Sequence, residues 1–170
     1  MLKNLPNSLS DYTFIDIGCG KGRTLILSRS YSFYRAIGVE FPLELVETAQ
    51  KNLVTINRNF PGGASVVHQD VALYGFPRGP LVVYLYNPFG PGVMGKVIQN
   101  LVNQISSRAD DCYVIYESSN AATVTWFEPL RARTGLFEKC PTAPMPLFWD
   151  AVRTIHYCVC RRKKDTHPSH

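Results

Sequence analysis

The stretch Tyr12–Leu27, "YTFIDIGCGKGRTLIL", is an apolar run that breaks into three glycines within five positions and then becomes apolar again. A strand that leads through a tight turn into a helix has this pattern, because glycine permits positive φ and leaves the backbone open to a ligand. Apolar segments of strand length alternate with helix-like segments along most of the chain. We therefore interpret the stretch as the first strand, turn and helix of an α/β domain, with a ligand site at the turn.

Strands are predicted where β-branched and aromatic residues concentrate. They are Tyr12–Ile17, Arg35–Glu40, Ala64–Gln69, Leu81–Tyr86, Cys112–Glu117, Leu136–Lys139 and Val152–Cys160. Helices are predicted at Gly22–Ser30, Pro42–Asn57, Gly92–Ser107 and Thr123–Ala132. Continuous apolar strands such as "LVVYLY" indicate burial on both faces, which is typical of a parallel sheet.

The last two predicted strands are separated by a proline-rich segment that is too short for a crossover helix, so we expect them to be antiparallel. The predicted fold is a three-layer, Rossmann-like α/β domain. It has a mostly parallel seven-stranded sheet, helices on both faces and an antiparallel hairpin at the C-terminus.

The 170 residues fit one domain, which we place at residues 1–160, with a basic tail at 161–170. Four of the positive charges behind the net charge of +5 lie in "RRKK" of this tail, so a nucleic-acid partner is only weakly supported. The sequence has no apolar run of membrane-spanning length and no signal-peptide pattern. The five scattered cysteines favour free thiols in a cytoplasmic protein without a membrane partner, and the histidines lack metal-binding spacing.

Three interpretations compete for the turn "DIGCGKGRT". A P-loop requires G-x-x-x-x-G-K-[ST], whereas here Lys21 follows the second glycine and Gly22 follows the lysine. A dinucleotide fingerprint requires a third glycine where this chain has Arg23. An acid two residues before the first glycine repels a pyrophosphate but attracts an ammonium group. The remaining pattern is Asp-x-Gly-x-Gly-x-Gly, from Asp16 to Gly22.

This pattern resembles motif I of the class I S-adenosylmethionine-dependent methyltransferases, and the resemblance extends through most of the chain. It implies that Asp16 faces the methionine moiety of S-adenosylmethionine and that the turn passes under this cofactor. The turn residues that the resemblance assigns to cofactor binding are Gly18, Cys19, Gly20 and Gly22.

Two further acids follow the same family pattern at the ends of predicted strands. Glu40 ends the second strand, where the resemblance implies that it accepts both ribose hydroxyls, with Phe41 lying along the adenine. Asp70 closes the third strand, where the resemblance implies contact with the adenine amino group, and Val71 follows it. Open α/β sheets bind ligands at the carboxyl ends of their strands, which is where all three acids occur.

The residues after the fourth strand, "YNPFGPG", resemble the Asn-Pro-Pro-aromatic motif of the amino-group methyltransferases. The resemblance implies that the Asn87 side chain and the Pro88 carbonyl accept from the target amine and that the Phe89 ring stacks on a planar acceptor. One proline replaces the usual two, which moves the aromatic one position early. A simple turn after a buried strand explains the same residues.

These features predict a methyltransferase that transfers a methyl group to nitrogen of a protein side chain, a nucleic-acid base or a small amine. Two alternatives stay open. One is transfer to oxygen or carbon of a small molecule, and the other is a non-catalytic binding or assembly module. Only about eleven residues precede the first predicted strand, so the N-terminal helices typical of the family are short or missing. Neither the methyl acceptor nor the oligomeric state can be predicted from the sequence.

Overall fold

The computed structural model describes residues 5–54, 61–86, 89–118, 127–129, 131–140 and 156–163. Its strands are β1 (Thr13–Ile17), β2 (Arg35–Glu40), β3 (Ala64–His68), β4 (Leu81–Tyr86), β5 (Cys112–Ser118), β6 (Phe137–Lys139) and β7 (His156–Arg162). Its helices are α1 (Arg23–Ser28), α2 (Leu43–Leu53) and α3 (Pro91–Ile105), and residues 127–129 and 131–133 are also helical.

The seven strands form one sheet in the order β3-β2-β1-β4-β5-β7-β6. Strands β1 to β5 are parallel to their neighbours, whereas β7 is antiparallel to both β5 and β6. This topology confirms the predicted fold class. Because the connections run outward in opposite directions from β1 and β4, the sheet has its topological switch point between these two strands, where open α/β sheets bind ligands.

The central strands are buried on both faces, which explains their continuous apolar sequences. One face carries α3, whose apolar side chains, including Met94 and Leu101, pack against β1, β4 and β5. The other face carries Leu25 of α1 and Leu53 of α2, which belong to a separate apolar cluster with Phe14 and Tyr84. Helices therefore lie on both sides of the sheet, as predicted.

Strand β7 corrects the predicted boundary between domain and tail at residue 161. Arg161 and Arg162 are the last residues of β7 and pair with β6. Arg161 forms an ion pair with Glu138, and Arg162 is buried and donates to the Asp110 carbonyl. Two of the four cations of "RRKK" thus belong to the sheet, because they have partners on β6 and at the start of β5.

Most predicted boundaries lie within two residues of the described ones. The predicted first helix is divided into α1 and a 3₁₀ turn at Arg29–Tyr31. The predicted end of the second helix and most of the predicted Thr123–Ala132 helix lie outside the described residues. No helix within the described ranges is long and apolar enough to cross a membrane.

Candidate functional site

A cavity of about 590 Å³ lies at the carboxyl edge of the sheet, beside the switch point. It is lined by Gly18, Gly20, Glu40, Phe41, Pro42, Leu45, Asp70, Val71, Phe89 and Val93. Seven of these ten residues are site residues predicted from the sequence. A second cavity of about 490 Å³ lies near residues 5–9 and 30–32, away from these acids, and the described residues that line it have no charged side chain.

The glycine turn has the backbone conformation that its sequence predicts. Gly18, Gly20 and Gly22 all have positive φ, at 74°, 54° and 79°. The Gly18 amide donates to the Val39 carbonyl at 2.9 Å, which ties the turn to β2. The Gly22 amide donates to the Cys19 carbonyl at 2.9 Å and closes the turn before α1. Any other residue at these positions would strain the backbone, because residues with a Cβ rarely adopt positive φ.

Gly20 and Gly22 differ in what surrounds them. A Cβ added to Gly20 would have no heavy atom within 4 Å, so its backbone is open to a ligand on the cavity side. A Cβ added to Gly22 would lie 3.2 Å from the Ala49 Cβ of α2. Gly20 therefore lines the cavity, whereas Gly22 allows α1 to pack closely against α2.

Cys19 was predicted as a cofactor contact, but its side chain does not line the cavity. Its thiol packs over Gly38 of β2, where an added Cβ would lie only 2.5 Å from the Cys19 Sγ. Burial raises the pKa of this thiol, and Asp16 and Glu40 raise it further. Cys19 is a buried core residue, as are Cys112, Cys140 and Cys160. At Cys19, only the backbone remains available to a ligand at the turn.

Glu40 joins the end of β2 to the glycine turn. Its Oε2 accepts from the Gly20 amide at 2.7 Å, and its Oε1 accepts from the Phe41 amide at 2.9 Å. The residue is only 8% exposed, yet it lines the cavity. Each carboxylate oxygen has two lone pairs, so a ligand hydroxyl can still donate to it. The two amides thus hold the carboxylate in one orientation toward the cavity.

Asp16, the second-last residue of β1, lies near Glu40 but is not among the described residues that line the cavity. It is 2% exposed, and its Oδ2 has no hydrogen-bond partner in the described part of the chain. Burial raises the pKa of Asp16 to about 8, with a further contribution from Glu40, while a hydrogen bond with Thr24 acts in the opposite direction. A buried carboxyl that lacks a partner on one oxygen is costly, and a bound cation would lower this cost.

The end of β3 supplies the outer wall of the cavity. The Asp70 Oδ1 accepts from the Ala72 amide at 2.9 Å and so caps the 3₁₀ turn Val71–Leu73. Asp70 itself is exposed, whereas Val71 is 4% exposed and belongs to the α3-side core. Phe41 is 65% exposed at the cavity, and its ring centroid lies 6.1 Å from that of His68 on β3.

The end of β4 contributes only partly within the described residues. Phe89 lines the cavity and packs against the core, whereas Asn87 and Pro88 lie outside the described residues. Three lining residues were not predicted from the sequence: Pro42, Leu45 and Val93. Leu45 and Val93 lie in the first turns of α2 and α3, and the switch-point topology brings these helix starts together.

A pair of buried polar side chains connects β4 and β5. The Tyr84 hydroxyl donates to Oε2 of Glu117 at 2.7 Å, and both residues are at most 1% exposed. The Glu117 Oε1 is buried without a hydrogen-bond partner among the residues described. Both Tyr84 and Asp16 face the α1 side of the sheet, because they are register partners on neighbouring strands. The sequence indicates Glu117 as an acid at the ligand-facing end of the fifth strand, but it does not indicate the contact with Tyr84.

This sheet order, with a glycine turn after β1 and acids after β1, β2 and β3, defines the Rossmann-like methyltransferase fold. The magnesium protoporphyrin IX methyltransferase of Synechocystis PCC 6803, solved with bound S-adenosylmethionine, superposes with a TM-score of 0.65 at 16% identity. The match covers 91% of this chain and 72% of that one.

Two other solved structures have the same fold. A glycopeptide N-methyltransferase matches with a TM-score of 0.67 at 9% identity, over 89% of this chain and 88% of that chain. A precorrin-6y C5,15-methyltransferase of Geobacter metallireducens GS-15 matches with a TM-score of 0.61 at 13% identity, over 94% of this chain and 83% of that chain. No protein-family model and no curated protein matches this sequence.

Proposed function

We propose that this chain is a methyltransferase that uses S-adenosylmethionine and transfers the methyl group to a nitrogen. One observation carries the proposal: two glycines, Gly18 and Gly20, and two acids, Glu40 and Asp70, line a single cavity, and the buried carboxyl of Asp16 lies near Glu40. This arrangement is complementary to a ligand with hydroxyls, an amino group and a positive charge.

The residues present fit the cofactor. Asp16 has a buried oxygen without a partner, which an ammonium group would satisfy. Gly20 leaves space where any side chain would intrude. Glu40 would accept the ribose hydroxyls, Asp70 the adenine amino group, and the exposed Phe41 ring would cover the adenine. Gly18 and Gly20 would lie under the cofactor, and Val71 would support it from the core.

When bound, S-adenosylmethionine supplies an electrophilic methyl group. The task of the protein is then to hold the acceptor in line with this group and to exclude water. We propose that the Asn87 side chain, the Pro88 carbonyl and the Phe89 ring orient the acceptor after β4. Acceptors placed on its N–H groups would stabilise the positive charge that develops on nitrogen.

The neighbours of known structure support the cofactor more than the acceptor. They include an enzyme named for N-methylation and one named for methylation at carbon. A second structure of the glycopeptide enzyme contains sinefungin, and one of the protoporphyrin enzyme contains S-adenosylhomocysteine. The nitrogen acceptor in our proposal therefore rests on the sequence after β4. We also propose a cytoplasmic location.

Isothermal titration calorimetry with S-adenosylmethionine, S-adenosylhomocysteine and NAD tests the cofactor. We expect saturable binding of both sulfur compounds and no binding of NAD. Binding of NAD alone, or of none of the three by a folded chain, would contradict the proposal, and the latter result would favour the binding-module alternative.

Methyl transfer is tested separately with a panel of amines, amides, alcohols and carbon acids and with radiolabelled S-adenosylmethionine. We expect label on nitrogen compounds. Asn87→Ala should slow transfer far more than it weakens cofactor binding, with Asn103→Ala on α3 as the matched control. Label on an oxygen or carbon compound would support a methyltransferase but would contradict the proposed nitrogen acceptor.

A further inference from the structure

Glu117 is a buried carboxyl that the fold leaves half satisfied. It is 1% exposed, and one oxygen accepts from the Tyr84 hydroxyl at 2.7 Å. The other oxygen is buried without a partner among the described residues. An unsatisfied buried acceptor destabilises the fold, and more so when it is charged. An apolar pair in place of Tyr84 and Glu117 would avoid this cost, so a purely structural role does not explain the carboxyl.

The register of the sheet places this carboxyl close to the carboxyl edge. Glu117 is the β5 partner of Tyr86, the last residue of β4, and lies one residue before the end of β5. Tyr84 lies about two residues, or roughly 6–7 Å, further from this edge, and the two side chains together bridge that distance. Tyr86 is 38% exposed, so solvent reaches the level of Glu117 on the same face.

Strand order separates Glu117 from the residues that fit the cofactor. Asp16, Glu40 and Asp70 end β1, β2 and β3, which lie on one side of the switch point. Glu117 is on β5, two strands beyond β1 and on the other side of β4. Ligands bound on both sides of the switch point would therefore contact different residues: the cofactor the three acids, and a second molecule Glu117.

The chemistry around the free oxygen favours a cationic nitrogen. An ionised carboxylate can accept hydrogen bonds but cannot donate them. The missing partner of Glu117 is therefore a hydrogen-bond donor. Its hydrogen-bond partner Tyr84 and its register partner Tyr86 carry no positive charge that could balance it. Burial raises the pKa of Glu117, while the hydrogen bond from Tyr84 acts in the opposite direction. A cation bound here would be drawn to the carboxylate and would keep it ionised.

We propose that Glu117, oriented by the Tyr84 hydroxyl, binds the methyl acceptor, and that this acceptor is an amine that arrives as its ammonium form. The inference deepens the proposed function, on which it rests, because it selects one class among the nitrogen acceptors. A neutral amide or a nucleic-acid base would not bring the charge that this carboxylate needs.

Methyl transfer then consists of a proton transfer followed by a displacement at the methyl carbon. One ammonium proton passes to the Glu117 carboxylate, which frees the nitrogen lone pair. The nitrogen forms a bond to the methyl carbon as the carbon–sulfur bond breaks, and that bonding pair stays on sulfur. The products are a methylated ammonium ion, neutral S-adenosylhomocysteine and a protonated Glu117, which returns its proton to solvent.

Binding of a small amine tests this assignment without turnover. We would saturate the protein with S-adenosylhomocysteine and measure the affinities of n-butylammonium and of n-butanol by saturation-transfer NMR. We expect the wild-type protein to prefer the ammonium ion by about tenfold or more, since a hydrogen bond to a charged group contributes about 1.5–3 kcal/mol. Glu117→Gln should lose this preference and keep its affinity for S-adenosylhomocysteine.

Two further variants make the result specific. Glu47→Gln, on the exposed side of α2, is the matched control and should retain the full preference. Tyr84→Phe should lose part of the preference, because Glu117 loses the donor that orients it, and this variant carries the test if Glu117→Gln does not fold.

The outcomes separate the two proposals. If calorimetry shows no binding of S-adenosylhomocysteine, the proposed function fails and the role of Glu117 fails with it. If S-adenosylhomocysteine binds but the wild-type protein does not distinguish ammonium from alcohol, only the amine assignment is overturned. The same conclusion follows if Glu117→Gln, or Tyr84→Phe in its place, keeps the wild-type preference.

Discussion

The two sides of the switch point hold their acids in different ways. On the β1–β2 side, the Glu40 carboxylate accepts from the backbone amides of Gly20 and Phe41. On the β4–β5 side, the Glu117 carboxyl accepts from a side chain, the Tyr84 hydroxyl. Backbone donors are present in any sequence that forms the turn, whereas the tyrosine is a specific choice. The difference suggests that one side serves a ligand common to the fold and the other a ligand particular to this chain.

The largest effect is expected for Glu40. Glu40→Ala removes the acceptor of two backbone amides and the proposed acceptor of the ribose hydroxyls. Since hydrogen bonds to charged groups contribute about 1.5–3 kcal/mol each, we expect affinity for S-adenosylhomocysteine to fall by about 100-fold or more. Calorimetry measures this, with Glu44→Ala in the exposed first turn of α2 as control. A loss below about threefold would break the assignment of the β1–β2 side to the cofactor.

The next largest effect is expected for Asp16, as a pH dependence of the affinity for S-adenosylmethionine. Its pKa of about 8 reflects burial first and Glu40 second, so it is largely protonated at pH 6 in the free protein. A cationic ligand favours the ionised form and must displace the proton. Affinity for S-adenosylmethionine should therefore rise as pH increases from about 6 to 7.5, by up to tenfold per unit.

Proton release makes this prediction specific to Asp16. Calorimetry in two buffers of different ionisation enthalpy should show close to one proton released per S-adenosylmethionine bound at pH 6. Asp16→Asn should bind more weakly, without release and without the slope. If the affinity of Asp16→Asn still rises with pH, the pH dependence comes from another group.

Gly20 and Gly22 of the turn should respond differently to substitution by alanine. Both have positive φ, so alanine costs about 1 kcal/mol of backbone strain at either position. Gly22→Ala also meets Ala49, and we expect a further loss of stability of about 1–3 kcal/mol, measured by urea unfolding. Gly20→Ala should instead lose mainly cofactor affinity, by about tenfold, because its methyl group enters open cavity space. Equal effects on binding would contradict the distinction between the two positions.

The smallest effect is expected at the far edge of the sheet. Arg161 and Glu138 pair while each side chain is more than 40% exposed. Exposed ion pairs contribute about 0–1 kcal/mol, so Arg161→Gln should change the free energy of unfolding by less than about 1 kcal/mol and leave cofactor binding unchanged. A larger loss of binding would connect this edge to the site.

The β1–β2 side was predictable because its determinants are local. Asp16, the glycines and Glu40 act through turn conformation and strand ends, which sequence spacing reports directly. Cys19 shows the limit of this reasoning: its neighbours in sequence face the cavity, but its side chain packs on Gly38, and only the pairing of β1 with β2 reveals this.

The β4–β5 side was less predictable because it depends on contacts between distant residues. Tyr84 and Glu117 are 33 residues apart and meet only once β4 and β5 are in register. The antiparallel pair of β6 and β7 was predictable from the proline-rich connection. The insertion of β7 between β5 and β6 was not, because hydrophobic pattern indicates a strand but not its neighbours.

That insertion has a consequence for biosynthesis. Strand β5 finds its outer neighbour only when residues 156–162 have left the ribosome, more than 35 residues after β5 itself. Until then, β5 has an open edge that invites pairing with another chain. We therefore expect nascent chains stalled before β7 to bind chaperones and to aggregate on release, although β1 to β4 are already complete.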